Sequence, residues 1–225
     1  MNKLLFTTFI MLFTLGLNAQ DWAGIKRYED ANSKVPAPAA GEKRVVYMGD
    51  SITDFWINND STFFKSNSYI NRGISGQTTG QMLLRFREDV INLQPKVVVI
   101  LAGINDIAQN NGPTKPEDTF GNIVSMAELA KANHIKVVIS SILPANKFPW
   151  RPLIIPTEKV GQLNDMLKAY ADKNGITYLD YYSAMADNEK GLPANLAKDG
   201  VHPTLEGYKL MEPLAQKAIA QAMRK

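Results

Sequence analysis

Five short apolar runs constrain this chain more than any other feature: "RVVYMG" (44–49), "SYIN" (68–71), "KVVVILA" (96–102), "IKVVISS" (135–141) and "ITYLD" (176–180). Each has strand length and is rich in valine, isoleucine or tyrosine. The third and fourth are apolar without alternation, as in strands covered on both faces. Stretches of helical period lie between them. In 79–93, Met82, Leu83, Phe86, Val90 and Leu93 share a face; 120–133 gathers Ile123, Met126, Ala127 and Ala130; 157–175 repeats the pattern before a glycine stop. A final amphipathic stretch, 204–223, is expected to be kinked or divided at Pro213. Strand and helix in alternation predict an α/β fold of three layers, α/β/α and flavodoxin-like, around a central five-stranded parallel sheet with right-handed crossovers.

The length of 225 residues suits one domain that buries most of its apolar surface by packing alone. It has to, because there is no cysteine for a disulfide, a zinc cluster or a lipid anchor. Only His134 and His202 are available as imidazole ligands, and they are far apart in sequence, so neither a metal nor another cofactor is expected. Residues 1–19 read as a signal peptide: Lys3, an apolar stretch from Leu4 to Leu17, then a small-residue site at Ala19. That stretch is too short for a spanning helix, which needs roughly 20 residues. The expected product is an exported protein, periplasmic or secreted, without stable membrane insertion. Residues 20–42 form an N-terminal leader whose "SKVPAPAAGEK" approaches a domain at 43–225. The formal net charge of +3 is scattered among acidic residues, which argues against a nucleic-acid partner.

In an open parallel sheet, ligands bind beyond the carboxyl ends of the strands. The first run leads into Gly49, Asp50 and Ser51, the second into "NRGISG", and the third into "GIND". The loop before the last helix, "KDGVHPT", is expected to return to the same edge. A nucleophile, a base, a group orienting the base and donors to an oxyanion would then converge. Ser51, His202 and Asp199 fit the first three roles. The backbone N–H groups of Ser51 and Gly73 and the side-chain amide of Asn105 fit the last. Asp50 and Asp106 read as turn-forming residues. The competing reading of Ser51, from "GDS" alone, is a helix N-cap.

These four blocks together resemble the SGNH, or GDSL-type, serine hydrolases: "GDSIT", with Ile52 where leucine is usual, "NRGISG", "GINDI" and "DGVHPT". The resemblance covers roughly Arg44 to Ala222. It implies ester hydrolysis through an acyl-enzyme, with Ser51, Asp199 and His202 catalytic and Ser51, Gly73 and Asn105 forming the oxyanion hole.

The resemblance does not choose the ester, because one scaffold serves many substrates. Export favours a small-molecule or glycan ester outside the cytoplasm, and no long apolar segment suggests an acyl-chain tunnel. A short-chain or O-acetyl ester is therefore expected, with a lysophospholipase or thioesterase substrate as the alternative. The proline-rich connection "LPANKFPWRPLIIPTE" (143–158) is too long for a plain turn and reads as a wall over a cleft. Its Phe148 and Trp150, with Trp56, are the expected substrate-contacting aromatics. Two non-catalytic readings compete: a glycan-binding module on the same scaffold, and a flavodoxin-like nucleotide binder, whose phosphate loop would have to be "GQTTGQ".

Overall fold

Residues 21–225 are described by a computed structural model; the signal-peptide expectation for 1–19 lies outside them. In chain order the helices are α1 (Glu29–Ser33), α2 (Ser51–Asn59), α3 (Ser61–Asn67), α4 (Thr79–Asp89), α5 (Ile104–Ile107), α6 (Pro116–Ala132), α7 (Thr157–Lys173), α8 (Tyr182–Met185) and α9 (Leu205–Arg224). The strands are β1 (Val45–Gly49), β2 (Tyr69–Gly73), β3 (Val97–Leu101), β4 (Lys136–Ser140) and β5 (Thr177–Leu179). All five are parallel, in the order β2-β1-β3-β4-β5. The five apolar runs are these strands, shifted at their ends by a residue or two.

Val45 to Met48 and Val97 to Leu101 are buried on both sides of the sheet, which is why their sequence shows no alternation. Helices α2, α3 and α9 cover one face; α4, α6 and α7 cover the other. Beneath the first face, Trp56 stacks on Phe63 at 5.0 Å and on Tyr208 at 5.1 Å, and meets the edges of Tyr47 and Phe64. Aromatic pairs of this kind add about 0.5–1.5 kcal/mol each beyond burial.

Pro213 neither divides α9 nor ends it. The helix runs unbroken to Arg224, with Met211, Ala215, Ala218, Ile219 and Ala222 buried across the proline. Burial of that stripe outweighs the missing N–H bond. None of the described helices is long and apolar enough to cross a membrane.

At the carboxyl edge of the sheet, β1 delivers Asp50 and Ser51, β2 delivers the turn 73–78, and β3 delivers Gly103 and α5. Because β1 lies between β2 and β3, the two flanking turns stand on either side of Ser51. His134 lies at the opposite edge, just before β4, in the left-handed region at φ 61°.

Candidate active site

Ser51 is the first residue of α2, and the residue that caps the helix is its neighbour. The carboxylate of Asp50 accepts the Ile52 N–H at 3.0 Å. With the cap taken by Asp50, the Ser51 hydroxyl is free for another partner, and it meets His202 Nε2 at 2.8 Å. The Ser51 N–H, in the first turn, finds no acceptor among the described residues.

Across the imidazole, His202 Nδ1 lies 2.6 Å from Asp199 Oδ2. The other oxygen, Asp199 Oδ1, accepts the backbone N–H groups of Val201 (2.9 Å) and His202 (2.8 Å). Gly200, at φ 82°, makes the turn that lets a carboxylate three residues upstream meet the ring. Partial burial acts to raise the Asp199 pKa, but the bonds from the His202 side chain and from both backbone N–H groups outweigh it and hold the carboxyl below its usual value. Asp199 is therefore a fixed anion. It favours the tautomer with the proton on Nδ1 and leaves Nε2 free to accept one from Ser51.

The expected oxyanion donors divide. Asn105 is buried; its Nδ2 donates to the Gln77 carbonyl at 3.0 Å and its Oδ1 accepts from Asn110 at 2.8 Å, which leaves the second amide proton uncommitted. Gly73 does not present its N–H: that group donates to Asn71 Oδ1 at 2.9 Å. A Cβ at Gly73 would stand 2.2 Å from the Asp54 nitrogen, so the glycine there allows α2 to pack on β2, not a substrate to approach. Three residues on, Gly76 has φ 78°, open space where a Cβ would be, and an N–H without an acceptor among the described residues. Asn110 reaches its carbonyl at 3.4 Å. Gly76 sits in the quoted "NRGISG"; the signal that singles it out is the second glycine, at the turn rather than the strand end.

Asp106 anchors the third block to α4, accepting the Thr79 N–H at 2.9 Å and its hydroxyl at 2.7 Å. Burial raises its pKa. Asp50 is fully buried, one oxygen has no hydrogen-bond partner among the described residues, and burial pushes its pKa up to about 7.

The expected aromatic contacts also divide. Trp56 is wholly buried in the aromatic cluster under α9 and cannot touch a substrate. Phe148 is equally buried and supports Trp150, whose ring lies 5.3 Å from it. Trp150 is 42% exposed and 6.0 Å from the His202 ring; Phe55, 36% exposed, is 5.2 Å from it. Phe55 is one residue before the expected Trp56, and one step along α2 turns a side chain by about 100°. A shallow cavity of about 360 Å³ borders His202, lined by Asn59, Lys198, Asp199, Pro203 and Thr204 among others. Among the described residues, no group of three or more His, Cys, Asp or Glu side chains is arranged to hold a metal ion.

The family model for the GDSL-like lipase/acylhydrolase family matches residues 47–210. A solved structure of a Bacteroides fragilis protein assigned as an acylhydrolase is 55% identical, with a TM-score of 0.89, and covers 91% of this chain and 99% of that one. The acetylxylan esterase of Geobacillus stearothermophilus is 28% identical over 153 residues, 63% of this chain and 67% of the esterase. A Bacillus subtilis lipoprotein is 28% identical over 141 residues; the match takes in 60% of this chain and 55% of the lipoprotein's length.

Proposed function

Because this chain belongs to the GDSL-like lipase/acylhydrolase family, an enzyme family of ester hydrolases, we propose that it is an exported esterase removing short acyl groups, such as O-acetyl, from a glycan or similar polar alcohol. The observation that carries this reading is the continuous path from Ser51 Oγ to His202 Nε2 (2.8 Å) and from His202 Nδ1 to Asp199 (2.6 Å). Ser51 attacks the ester carbonyl while Nε2 takes its proton. The same proton then passes to the leaving alcohol oxygen, which leaves an acyl-Ser51. Water, deprotonated by His202, attacks the acyl carbonyl and releases the acid and free Ser51.

The negative charge on each tetrahedral intermediate falls to the Ser51 N–H, the uncommitted Asn105 amide proton and, in place of Gly73, the Gly76 N–H. A polar alcohol is favoured by the Asn59, Lys198 and Thr204 side chains bordering His202 and by the acetylxylan esterase relative. Trp150 and Phe55 both lie beside the His202 ring and give a sugar ring or small acyl group an apolar surface. One observation favours lipid esters instead: beyond Trp150, Leu153 is 96% exposed and Ile155 74% exposed, and such side chains suit an acyl chain.

A phosphonylating serine reagent should add one label to the wild-type protein, at Ser51, and none to Ser51→Ala. Turnover of aryl acetate should vanish with that substitution. Near-normal turnover by pure Ser51→Ala protein would sink the proposal. Comparing kcat/KM for acetylated xylooligosaccharides, aryl acetate, aryl decanoate and lysolipid decides the substrate class: a value that falls steeply with acyl length supports the short-chain reading, and a rising one supports the lipid reading. Export is tested by the N-terminus of the secreted product, expected at Gln20.

A further inference from the structure

From the hydrogen bonds made by residues 22–32, we infer that the segment expected to be a mere leader is a strap that positions the oxyanion donors, with Tyr28 as its principal positioning residue. This rests on the esterase reading above. The turn from Gly73 to Gln77 carries the Gly76 N–H, and the strap holds both of its ends. At the first end, the Tyr28 hydroxyl donates to the Gly73 carbonyl. At the other, Gln77 Nε2 donates to the Ala23 carbonyl at 2.6 Å. One turn of α4 further on, Gln81 Nε2 reaches the Trp22 carbonyl at 2.6 Å.

Asn105 depends on the same brace, since its amide is fixed by the Gln77 carbonyl at 3.0 Å. Two of the three proposed donors are thus tied to the N-terminal segment.

The strap is itself locked from beneath. The Arg72 guanidinium lies 4.7 Å from the centroid of the Tyr28 ring, and its Nε donates to Asn32 Oδ1 at 2.8 Å. Asn32 in turn donates to Asp89 at 2.7 Å, and Asp89 is paired with the fully buried Arg85. Arg85 returns to the turn, donating to Gln77 Oε1 at 2.5 Å and to the Arg72 carbonyl at 2.8 Å. Gly76 is left-handed and has open space where a Cβ would be, so no side chain of its own anchors it. The Ile74 N–H on the Gly49 carbonyl, the Ser75 N–H on Asp54 Oδ2 and Asn110 on the Gly76 carbonyl tie the turn to the domain, and the strap adds a constraint from outside. It matters because an oxyanion donor acts only if its N–H is fixed before charge develops.

The test is Tyr28→Phe in the full chain, which removes the hydroxyl and keeps the ring over Arg72. The expected result is a fall of about 10-fold in kcat for aryl acetate with KM unchanged, smaller than the ~10²-fold that a misplacement of 1 Å can cause. Affinity for a boronic-acid analogue of the tetrahedral intermediate should fall in parallel, and the amides of residues 74–77 should exchange faster with deuterium. Asn32→Ala, which frees Arg72 without touching Tyr28, should show the same pattern in weaker form, and it stands in if Tyr28→Phe fails to fold. Unchanged kcat in either folded variant, or kcat and KM altered only as far as melting accounts for, would overturn the strap. Wild type and Ser51→Ala run alongside separate the two claims: an inactive wild type defeats the esterase reading, whereas an active wild type with an equally active Tyr28→Phe defeats only the strap.

Discussion

Asp199 holds three donors with two oxygens, and each bond has a separate consequence. The backbone N–H groups of Val201 and His202 on Oδ1 fix the turn, while Oδ2 alone orients the imidazole. Asp199→Asn should therefore keep the turn, because an amide oxygen still accepts from the backbone. Its NH2 would face Nδ1 and demand a lone pair there, which puts the ring proton on Nε2, where it cannot take one from Ser51. The expected loss is about 10³–10⁴ in kcat at neutral pH, with the urea midpoint little changed; a rate within tenfold of wild type would show that the base is oriented otherwise. The lowered Asp199 pKa gives a second sign. Its ionised form stabilises the fold above the ordinary carboxyl range, and that contribution is lost only as pH falls through the lowered value. Asn105→Ala removes one of the three proposed oxyanion donors and should cost about 10²–10³ in kcat, less than Ser51→Ala. Steady-state kinetics on aryl acetate, with labelling at Ser51 to count active sites, measures both.

At the level of elements, the helix α4 does more than cover the sheet. Arg85, fully buried, donates to the carbonyls of Gly49 and Arg72 and to Gln77, and pairs with Asp89 at 2.8 Å. One side chain thus ties the ends of β1 and β2 to the helix. Removing one member of a buried pair leaves the other unpaired in a medium that cannot solvate it, at a cost of about 3–5 kcal/mol. Asp89→Ala should accordingly lower urea stability by that amount, and a loss under 1 kcal/mol would mean that water reaches the Arg85 guanidinium. These ties also mark what periodicity reveals and what it does not. Val97 to Leu101 announce a buried strand because burial on both faces forces an unbroken apolar run, and the helical spacing of Met82 and Phe86 places α4. Nothing in spacing announces α2 and α3, whose 51–67 stretch is interrupted by Asp60 acting as the cap of α3. Nor does "SKVPAPAAGEK" announce that Tyr28, upstream of it, contacts Gly73 across 45 positions. The proposed oxyanion turn misleads for a similar reason: Gly73 and Gly76 are both glycines in one block, and only three-dimensional contacts show that the first makes room for α2 while the second is open.

For the whole molecule, the site stands at an internal cost that pH should expose. Asp50 caps α2 from a fully buried position, with one oxygen unpartnered among the described residues. Burial raises its pKa from 3.8 to about 7, opposed by the Ile52 N–H and by Arg85, and reinforced by Asp106. The folded state therefore binds a proton there that the unfolded chain has released. Stability from this group is fully present below the unfolded pKa of 3.8 and is lost as pH rises through about 7. At roughly 1.4 kcal/mol for each pH unit between those values, the loss from pH 5 to pH 8 is on the order of 2–3 kcal/mol. Asp106, raised in the same direction by its own burial, adds to the slope, and Asp199 opposes it only at lower pH. Asp50→Asn keeps the oxygen that caps Ile52 and cannot ionise. Urea unfolding at pH 5 and pH 8 should then show wild type losing about 2–3 kcal/mol more than the variant over that interval. An equal loss in both proteins would mean that the Asp50 carboxylate is solvated or paired in solution. If the difference appears, the residue that caps α2 in place of Ser51 is also one that makes the fold weaker in alkali, so that the helix start, the free hydroxyl of the proposed nucleophile and part of the domain's pH dependence meet in a single buried carboxyl.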